Sequence, residues 1–399
     1  MARVETVDVA GARPIALASA PAELTVIAPT FNERDNVALL VQKLDAALAG
    51  IRWEVIFVDD DSPDGTAAQV RALAQQDGRV RCLQRLGRRG LTTACAEAVL
   101  ASSSPYVAII DADLQHDERL LPQMLEILRT GETDVVIGSR YTEAKAASAF
   151  SLPRHIMSRV ATRLAQFVLK ARLTDPVSGF FMAKREVFET TIRNLSGIGN
   201  KILVDTFASS PVPLRFRELP YEFRERLHGE SKLDTLTVWE YLVLLADKLL
   251  GRFVPIRLLL FSLVGASGVL VHLAVFWTML LSGGAAMVAK AGLQQFAVAQ
   301  AVATVMAATS NFFLNNVLTY RDKRLRGRAV LRGWLSFLAI SGLGALVSVS
   351  FAEQVLFWFP ERLQDSKAVL TFASLVGVAV GAVLNFSASS LFTWGRKGR

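Results

Sequence analysis

From Phe253 to Tyr320 the chain carries only two charged residues, Arg257 and Lys290. So long an apolar run with so few charges is out of place in a soluble domain. In a bilayer every backbone N–H and C=O must be bonded within its own segment, so long apolar runs read as helices. Four runs follow, at about 256–281, 294–318, 333–359 and 368–392, the third containing Glu353. About 20 residues cross a hydrocarbon core roughly 30 Å thick, so each is long enough to span one. The connections differ in charge. Arg321, Lys323, Arg324, Arg326, Arg328 and Arg332 lie between the second and third runs, and Arg396, Lys397 and Arg399 follow the fourth. The connections 282–293 and 360–367 carry few positive charges. The excess of basic residues on cytoplasmic loops then places the preceding domain, the basic loop and both termini in the cytoplasm, in an inner-membrane protein.

At 399 residues, 52% hydrophobic, with a mean hydropathy of +0.35, the chain exceeds one ordinary domain and is too apolar to be wholly soluble. Its net charge of +8 is explained in part by the membrane loops and needs no nucleic acid. Cys82 and Cys95 offer neither a disulfide framework nor metal-ligand spacing, and suit a reducing compartment. In residues 1–22, Arg13 and Pro14 interrupt any signal-peptide core, which leaves a disordered leader.

Between the leader and the membrane runs, short apolar strands alternate with helices. Leu24–Ala28, Trp53–Val58 and Val80–Gln84 read as strands, with helices at about Val37–Leu48, after Thr66, and at Thr92–Ser102. This pattern predicts a mostly parallel sheet covered on both faces, with ligands at the carboxyl ends of its strands. The polar clusters fall at those ends. The sharpest is Val107-Ala108-Ile109-Ile110-Asp111-Ala112-Asp113-Leu114-Gln115-His116-Asp117, an apolar strand ending in acids. In an extended chain Asp111, Asp113 and Gln115 share a face, and two carboxylates with an amide oxygen suit Mg2+ or Mn2+. The alternative is a strand-to-helix turn with Asp117 as a helix cap.

Two stretches read as membrane-surface helices. The first runs from Pro153 to Lys170, with Ile156, Val160, Leu164, Phe167 and Val168 on one face and Arg154, Arg159, Arg163 and Lys170 on the other. The second covers about 236–250. The membrane half repeats itself: Asn311-Phe312 with Thr319-Tyr320 matches Asn385-Phe386 with Thr393-Trp394, and Phe261 and Gly268 pair with Phe337 and Gly344. Asn311, Asn315, Asn316 and Asn385 are expected to face other helices. The expected division is leader 1–22, soluble domain 23–235, interface helix 236–254 and four-span domain 255–395.

Several motifs carry a family resemblance. Pro29-Thr30-Phe31-Asn32-Glu33, Val58-Asp59-Asp60-Asp61-Ser62-Pro63-Asp64-Gly65-Thr66 and Asp111–His116 resemble the successive nucleotide-sugar motifs of family 2 glycosyltransferases. Gly138-Ser139-Arg140-Tyr141, Asp175-Pro176-Val177-Ser178-Gly179-Phe180 and Arg226-x-x-Gly229-x-Ser231-Lys232 narrow the resemblance to the dolichol-phosphate mannose synthase group. The membrane half resembles a GtrA-type domain. The resemblance implies an α/β GT-A fold, a Rossmann-like mixed sheet, followed by an all-α four-helix transmembrane domain.

It also implies site roles. Pro29, Phe31 and Glu33 would line a nucleoside pocket and Asp60 would accept from the base. Asp111, Asp113 and Gln115 would hold the metal against the diphosphate. Arg140, Arg154, Ser158 and Arg226 would receive the phosphate of a polyprenyl lipid, with His228 and Lys232 as neighbours. Asp59, Asp61 and Asp64 suit turns and caps equally well, and Asp175 and Asp205 suit capping as well as catalysis. Thr92-Thr93-Ala94 departs from the family's glycine or serine, which leaves Arg88 and Arg89 between phosphate and solvent. The expected reaction moves mannose from GDP-mannose to a polyprenyl phosphate, with glucose from UDP-glucose as the alternative donor. A lipid-sugar translocator with a loading domain is a further alternative. Processive polysaccharide synthases typically carry Gln-x-x-Arg-Trp, which is absent here.

Overall fold

The computed structural model of the chain describes residues 21–140, 166, 168–169, 171–224, 235–282, 295–360 and 366–395. It divides into two compact units, one ending at Lys248 and one beginning at Leu249.

The first unit contains one seven-stranded sheet: β1 (Leu24–Thr30), β2 (Trp53–Asp59), β3 (Val80–Gln84), β4 (Tyr106–Ile109), β5 (Val135–Ser139), β6 (Phe181–Lys184) and β7 (Phe216–Pro220), in the order β3-β2-β1-β4-β6-β5-β7. The helices are α1 (Arg34–Ala47), α2 (Thr66–Ala74), α3 (Leu91–Ala101), α4 (Leu121–Arg129), α5 (Arg185–Thr191), α6 (Ile202–Ser209) and α7 (Thr235–Leu250). β3, β2, β1 and β4 run parallel, as do β5 and β7, whereas β6 is antiparallel to both β4 and β5. The sheet is therefore the mixed α/β type of a GT-A fold. Side chains alternate across it: Leu24, Val26 and Ala28 join a core with Leu40 and Leu44 of α1 and Leu125 and Leu128 of α4. Ile27, Ile56 and Val107 join the opposite core, with Cys95 and Val99 of α3, Leu203 of α6 and Tyr241 and Leu244 of α7. Burial on both faces explains why these strands are apolar throughout. α7 thus packs as part of this unit, while Val238, Leu242, Leu249 and Leu250 stay exposed.

Chain direction reverses its winding at β1, which lies between β2 and β4. The crevice beyond the carboxyl ends of β1 and β4 is the position at which such sheets bind ligands. The far edge is held by Asp134. Its carboxylate accepts from the Arg215 backbone N–H at 3.1 Å, from Arg215 Nη2 at 2.6 Å and from Lys184 Nζ at 3.2 Å, joining β5, β6 and β7.

The second unit contains α8 (Ile256–Leu281), α9 (Gln295–Leu314), α10 (Arg328–Leu356) and α11 (Lys367–Ala388). Among the described residues four helices are long and apolar enough to cross a membrane. Leu270, Leu281 and Leu346 are exposed on them, a surface that lipid accepts and water does not. The repeat is present in three dimensions. α9 and α11 each run into one π-helical turn, Asn315–Thr319 and Ser389–Thr393. Tyr320 and Trp394 stack with ring centroids 4.1 Å apart. Trp394 Nε1 donates to Asn316 Oδ1 at 3.1 Å, and the equivalent pair, Tyr320 Oη and Ser390 Oγ, lies 2.6 Å apart. The bonds are reciprocal, as a pseudo-two-fold requires. A methyl at Gly268 would fall on the Asn311 amide, and one at Gly344 on the Asn385 amide, so each asparagine lies against the helix that precedes it.

Two outcomes follow. Gly268→Val and Gly344→Val should each destabilise the solubilised protein by about 1–3 kcal/mol, the usual range for overpacking. Matching losses in thermal stability by size-exclusion chromatography would support equivalent roles, and an unaffected Gly344→Val would contradict them. Hydrogen bonds from Arg215 hold the Asp134 carboxyl at about 2, against burial. A depressed carboxylate stabilises the fold above its unfolded value near 4 and loses that contribution as pH falls towards 2. The stability gap between the wild type and Asp134→Asn should therefore close across that window in acid-unfolding titrations.

Candidate active site

The turns after β1 and β2 are built from each other. Asn32, at φ 57°, donates its N–H to Ser62 Oγ at 3.0 Å, Glu33 N–H reaches Thr66 Oγ1 at 3.1 Å, and Arg34 N–H reaches Asp64 Oδ2 at 3.2 Å. Asp59 accepts the Ser62 hydroxyl at 2.5 Å and its N–H at 3.0 Å. Asp61, at φ 59°, accepts the Gly87 N–H at 3.3 Å. These three aspartates build turns. Pro29 pairs with Val58 inside the sheet, and Phe31 and Glu33 are half-buried at its rim. The Phe31 ring carries the Arg89 guanidinium 4.1 Å from its centroid.

Asp60 is engaged on both oxygens, by Arg85 Nη1 at 2.8 Å and by the Gly90 N–H at 2.7 Å. Burial pushes its carboxyl up, against the pull of those two donors. Arg85 itself is buried and also donates to Thr93 Oγ1 at 2.6 Å. Sequence reasoning missed Arg85, because an arginine closing a short strand carries no mark of burial. Only the tertiary approach of Asp60 after β2, of Gly90 and of Thr93 in α3 encloses it.

The acidic stretch departs from the expected geometry. β4 ends at Ile109, and residues 111–114 form a turn, with Leu114 at φ 64°. The two-residue alternation that was expected to align Asp111, Asp113 and Gln115 therefore does not operate. The turn is fixed instead by its neighbours. Ala112 and Leu114 are buried in the core, and Gln115 N–H bonds to Asp113 Oδ1 at 3.2 Å. Gln115 Nε2 donates to the Arg224 carbonyl at 3.0 Å, which turns the amide oxygen away from Arg224. Arg224 returns its own N–H to the Gln115 carbonyl at 2.9 Å and spreads its guanidinium over Asp117 and Glu118 at 2.7 and 2.8 Å. Asp117 caps a single 3₁₀ turn, Glu118–Leu120, ahead of α4.

Asp113 is buried, while the Asp111 side chain is 38% exposed, so one carboxylate faces the crevice. A side chain at Gly179 would put its Cβ 2.7 Å from Asp111 Oδ2, so glycine is what allows the carboxylate to lie there. Asp111 Oδ2 is also 3.2 Å from His116 Nε2, whose Nδ1 is 2.7 Å from Tyr221 Oη. The His116 ring is packed between Phe180 and Phe223. Burial pushes the Asp111 carboxyl up, but the bond and charge of His116, then Lys201 and Arg140, hold it below the usual carboxylate range. The donor set fits a hard divalent cation: two carboxylates and an amide oxygen, all oxygen ligands. Among the described residues no three His, Cys, Asp or Glu side chains converge to form a closed site, so further ligands would come from substrate and water.

Arg140, just past β5, clamps the fully buried Asp175 in two-point fashion, Nε to Oδ2 at 2.7 Å and Nη2 to Oδ1 at 2.8 Å. Asp175 is thus an arginine-orienting group. Breaking such a buried pair costs about 3–5 kcal/mol. Asp205, also fully buried, holds the Ser196–Gly197 loop by hydrogen bonds. Lys201, which precedes α6, was not singled out from sequence. Burial and Arg140 pull its ammonium below the usual lysine range, opposed by Asp111 and Asp175. Its place is set by the preceding loop, which is bonded onto α6 through Asp205, and no local pattern announces it. Arg154, Ser158, Arg226, His228 and Lys232, and nearly all of the Pro153–Lys170 helix, lie outside the described residues.

Comparison with known proteins accounts for both units. The glycosyl transferase family 2 profile matches residues 25–192, and the GtrA/DPMS transmembrane domain profile matches 260–394. A dolichol-phosphate mannosyltransferase of Pyrococcus furiosus is 31% identical over 374 residues, covering 93% of this chain and 99% of that one. The enzyme of the same name from Saccharomyces cerevisiae is 32% identical over 248 residues, covering 60% and 91%. Among solved structures, mannosyl-3-phosphoglycerate synthase of Rubrobacter xylanophilus superposes with a TM-score of 0.43 at 17% identity, covering 58% of this chain and 75% of that one. Glucosyl-3-phosphoglycerate synthase of Mycobacterium tuberculosis, in complex with Mn2+, UDP and product, gives 0.39 at 22% identity, covering 58% and 80%. A 31% match along almost the whole of both chains makes this protein a family 2 glycosyltransferase of the dolichol-phosphate mannosyltransferase type, with a GtrA/DPMS transmembrane domain.

Proposed function

We propose that the protein transfers one mannosyl residue from GDP-mannose to a polyprenyl phosphate, with inversion, at the cytoplasmic face of the membrane. The observation that carries this reading is the meeting of two chemistries at one rim. Asp111 and Asp113 stand at the end of β4, and Asp111 lies within electrostatic reach of Arg140, which the buried Asp175 holds in place. The names of the relatives support mannose and a lipid phosphate.

In this reading Asp111, Asp113 and Gln115 hold Mg2+ or Mn2+. When bound, the cation offsets the charge that grows on the leaving diphosphate. The half-buried Phe31 and Glu33 border the nucleoside, beside Pro29. Asp60 is already bonded to Arg85 and Gly90, so it shapes the loop that borders the base as well as offering it an acceptor. Arg140 presents a planar guanidinium to the acceptor phosphate, the geometry that suits phosphate oxygens. Arg154, Ser158 and Arg226 are assigned to the same phosphate, and Arg226 with Lys232 also to the donor, by family resemblance alone. A phosphate monoester, with a second pKa of about 6, is largely ionised at neutral pH, so its oxygen attacks the anomeric carbon without a general base. One displacement inverts the centre. The exposed apolar residues of α7 suit a domain that meets a membrane surface, and the basic loop after α9 supports the cytoplasmic orientation in this reading.

Purified protein incubated with labelled GDP-mannose, polyprenyl phosphate and Mn2+ should yield lipid-linked mannose, and unlabelled UDP-glucose should compete poorly. Product from UDP-glucose alone would move the donor assignment. A chelator should abolish transfer, and Asp113→Ala should lower kcat/KM roughly 100-fold or more. Full activity of that variant would remove the metal assignment. For orientation, Gly284→Cys and Arg326→Cys in a chain lacking Cys82 and Cys95 are to be labelled with an impermeant maleimide in intact cells. Labelling is expected at 284 and not at 326, and the reverse pattern would invert the topology.

A further inference from the structure

The loop between residues 195 and 201 is held more firmly than a connection requires. Asp205 accepts the Ser196 N–H at 3.0 Å, the Ser196 hydroxyl at 2.8 Å and the Gly197 N–H at 3.3 Å. Lys248, near the end of α7, closes on Asp205 at 2.6 Å and on the Asn194 carbonyl at 2.9 Å. Thr92 Oγ1, at the start of α3, donates to the Gly199 carbonyl at 3.1 Å. Gly197 and Gly199 are both left-handed, at φ 66° and 68°. A Cβ would stand 3.1 Å from Thr93 Cγ2 at Gly197, and 3.2 Å from Glu240 Cβ at Gly199. The loop is clamped between α3 and α7, and it delivers Lys201.

Lys201 is half-buried, within electrostatic reach of Asp111, Asp175 and Arg140. Among the described residues its ammonium makes no hydrogen bond or ion pair. A half-buried ammonium that lies near carboxylates but is hydrogen-bonded to none of them can still take a ligand's phosphate oxygen. Arg140 is already matched by Asp175. In the proposed reaction the donor diphosphate is matched by a divalent cation, whereas the acceptor monoester brings about two negative charges and no metal. Placing that phosphate near two carboxylates calls for a cation not committed elsewhere.

We propose that Lys201 is a catalytic residue that binds the acceptor's phosphate directly, alongside Arg140. The inference rests on the lipid-phosphate reading of the site. The test uses the full-length protein in detergent, with farnesyl phosphate as acceptor probe and GDP as donor-side probe. Lys201→Met should weaken farnesyl phosphate binding and raise its KM about tenfold to a hundredfold, the value of one charge-assisted hydrogen bond, with GDP affinity within about twofold of wild type. Lys201→Arg should recover most of the loss. Unchanged farnesyl phosphate affinity in Lys201→Met overturns the proposal. So does a parallel fall in GDP affinity, which would assign the lysine to the donor or to folding. A wild type that binds farnesyl phosphate but transfers no mannose defeats the mannosyl reading, while the binding arm still decides Lys201. A wild type that binds no farnesyl phosphate defeats both.

Discussion

The tie between Arg224 and the acidic turn is the contact on which the arrangement of the site depends. Four parallel strands bring their carboxyl ends to one rim, and Asp59, Asp60, Asp111 and Asp113 all arrive there. Carboxylates so concentrated repel one another unless each is given a donor or a cation. Arg224 accepts a bond from the Gln115 side-chain amide, returns its own N–H to the Gln115 carbonyl and pairs with Asp117 and Glu118, holding the turn that presents Asp111. Arg85 does the same for Asp60, and Arg140 for Asp175. The acids left facing the crevice are therefore few, and their geometry is set by paired arginines.

The membrane unit obeys a different constraint. Without water, polar groups must find partners among helices, and small residues let helices approach closely. Asparagines lie over glycines in each helix pair, and the two π turns exchange bonds through Asn316, Trp394, Tyr320 and Ser390. The repeat lets one solution serve twice. Membrane residence follows from length and apolarity, and the glycosyltransferase profile belongs to the first unit.

Much of this was legible beforehand. β3 lies where its apolar pattern places it, and α1 and α3 begin within a few residues of the expected positions, because strand alternation and turn residues are local signals. The α8 limits were readable because a span is a composition, needing no partner to define it. The mixed direction of the sheet was not readable from alternation. β6 runs antiparallel between β4 and β5, and strand direction depends on how a connection returns. Asp111, Asp113 and Gln115 could be named, but the reason offered for their alignment was wrong. A left-handed Leu114 and buried Ala112 and Leu114 make a turn where an extended strand was expected.

By itself the sequence determined which chemistries are available: acids at strand ends, arginines and lysines further along, apolar runs of membrane length and a repeated asparagine pattern. Tertiary structure decided which of these groups meet. Arg85, His116, Asp175, Lys201 and Arg224 acquire their roles from neighbours distant along the chain. Charge pairing and desolvation act through space, and loop closure sets those distances. A residue's type is written locally, whereas its burial and its partner are properties of the closed fold.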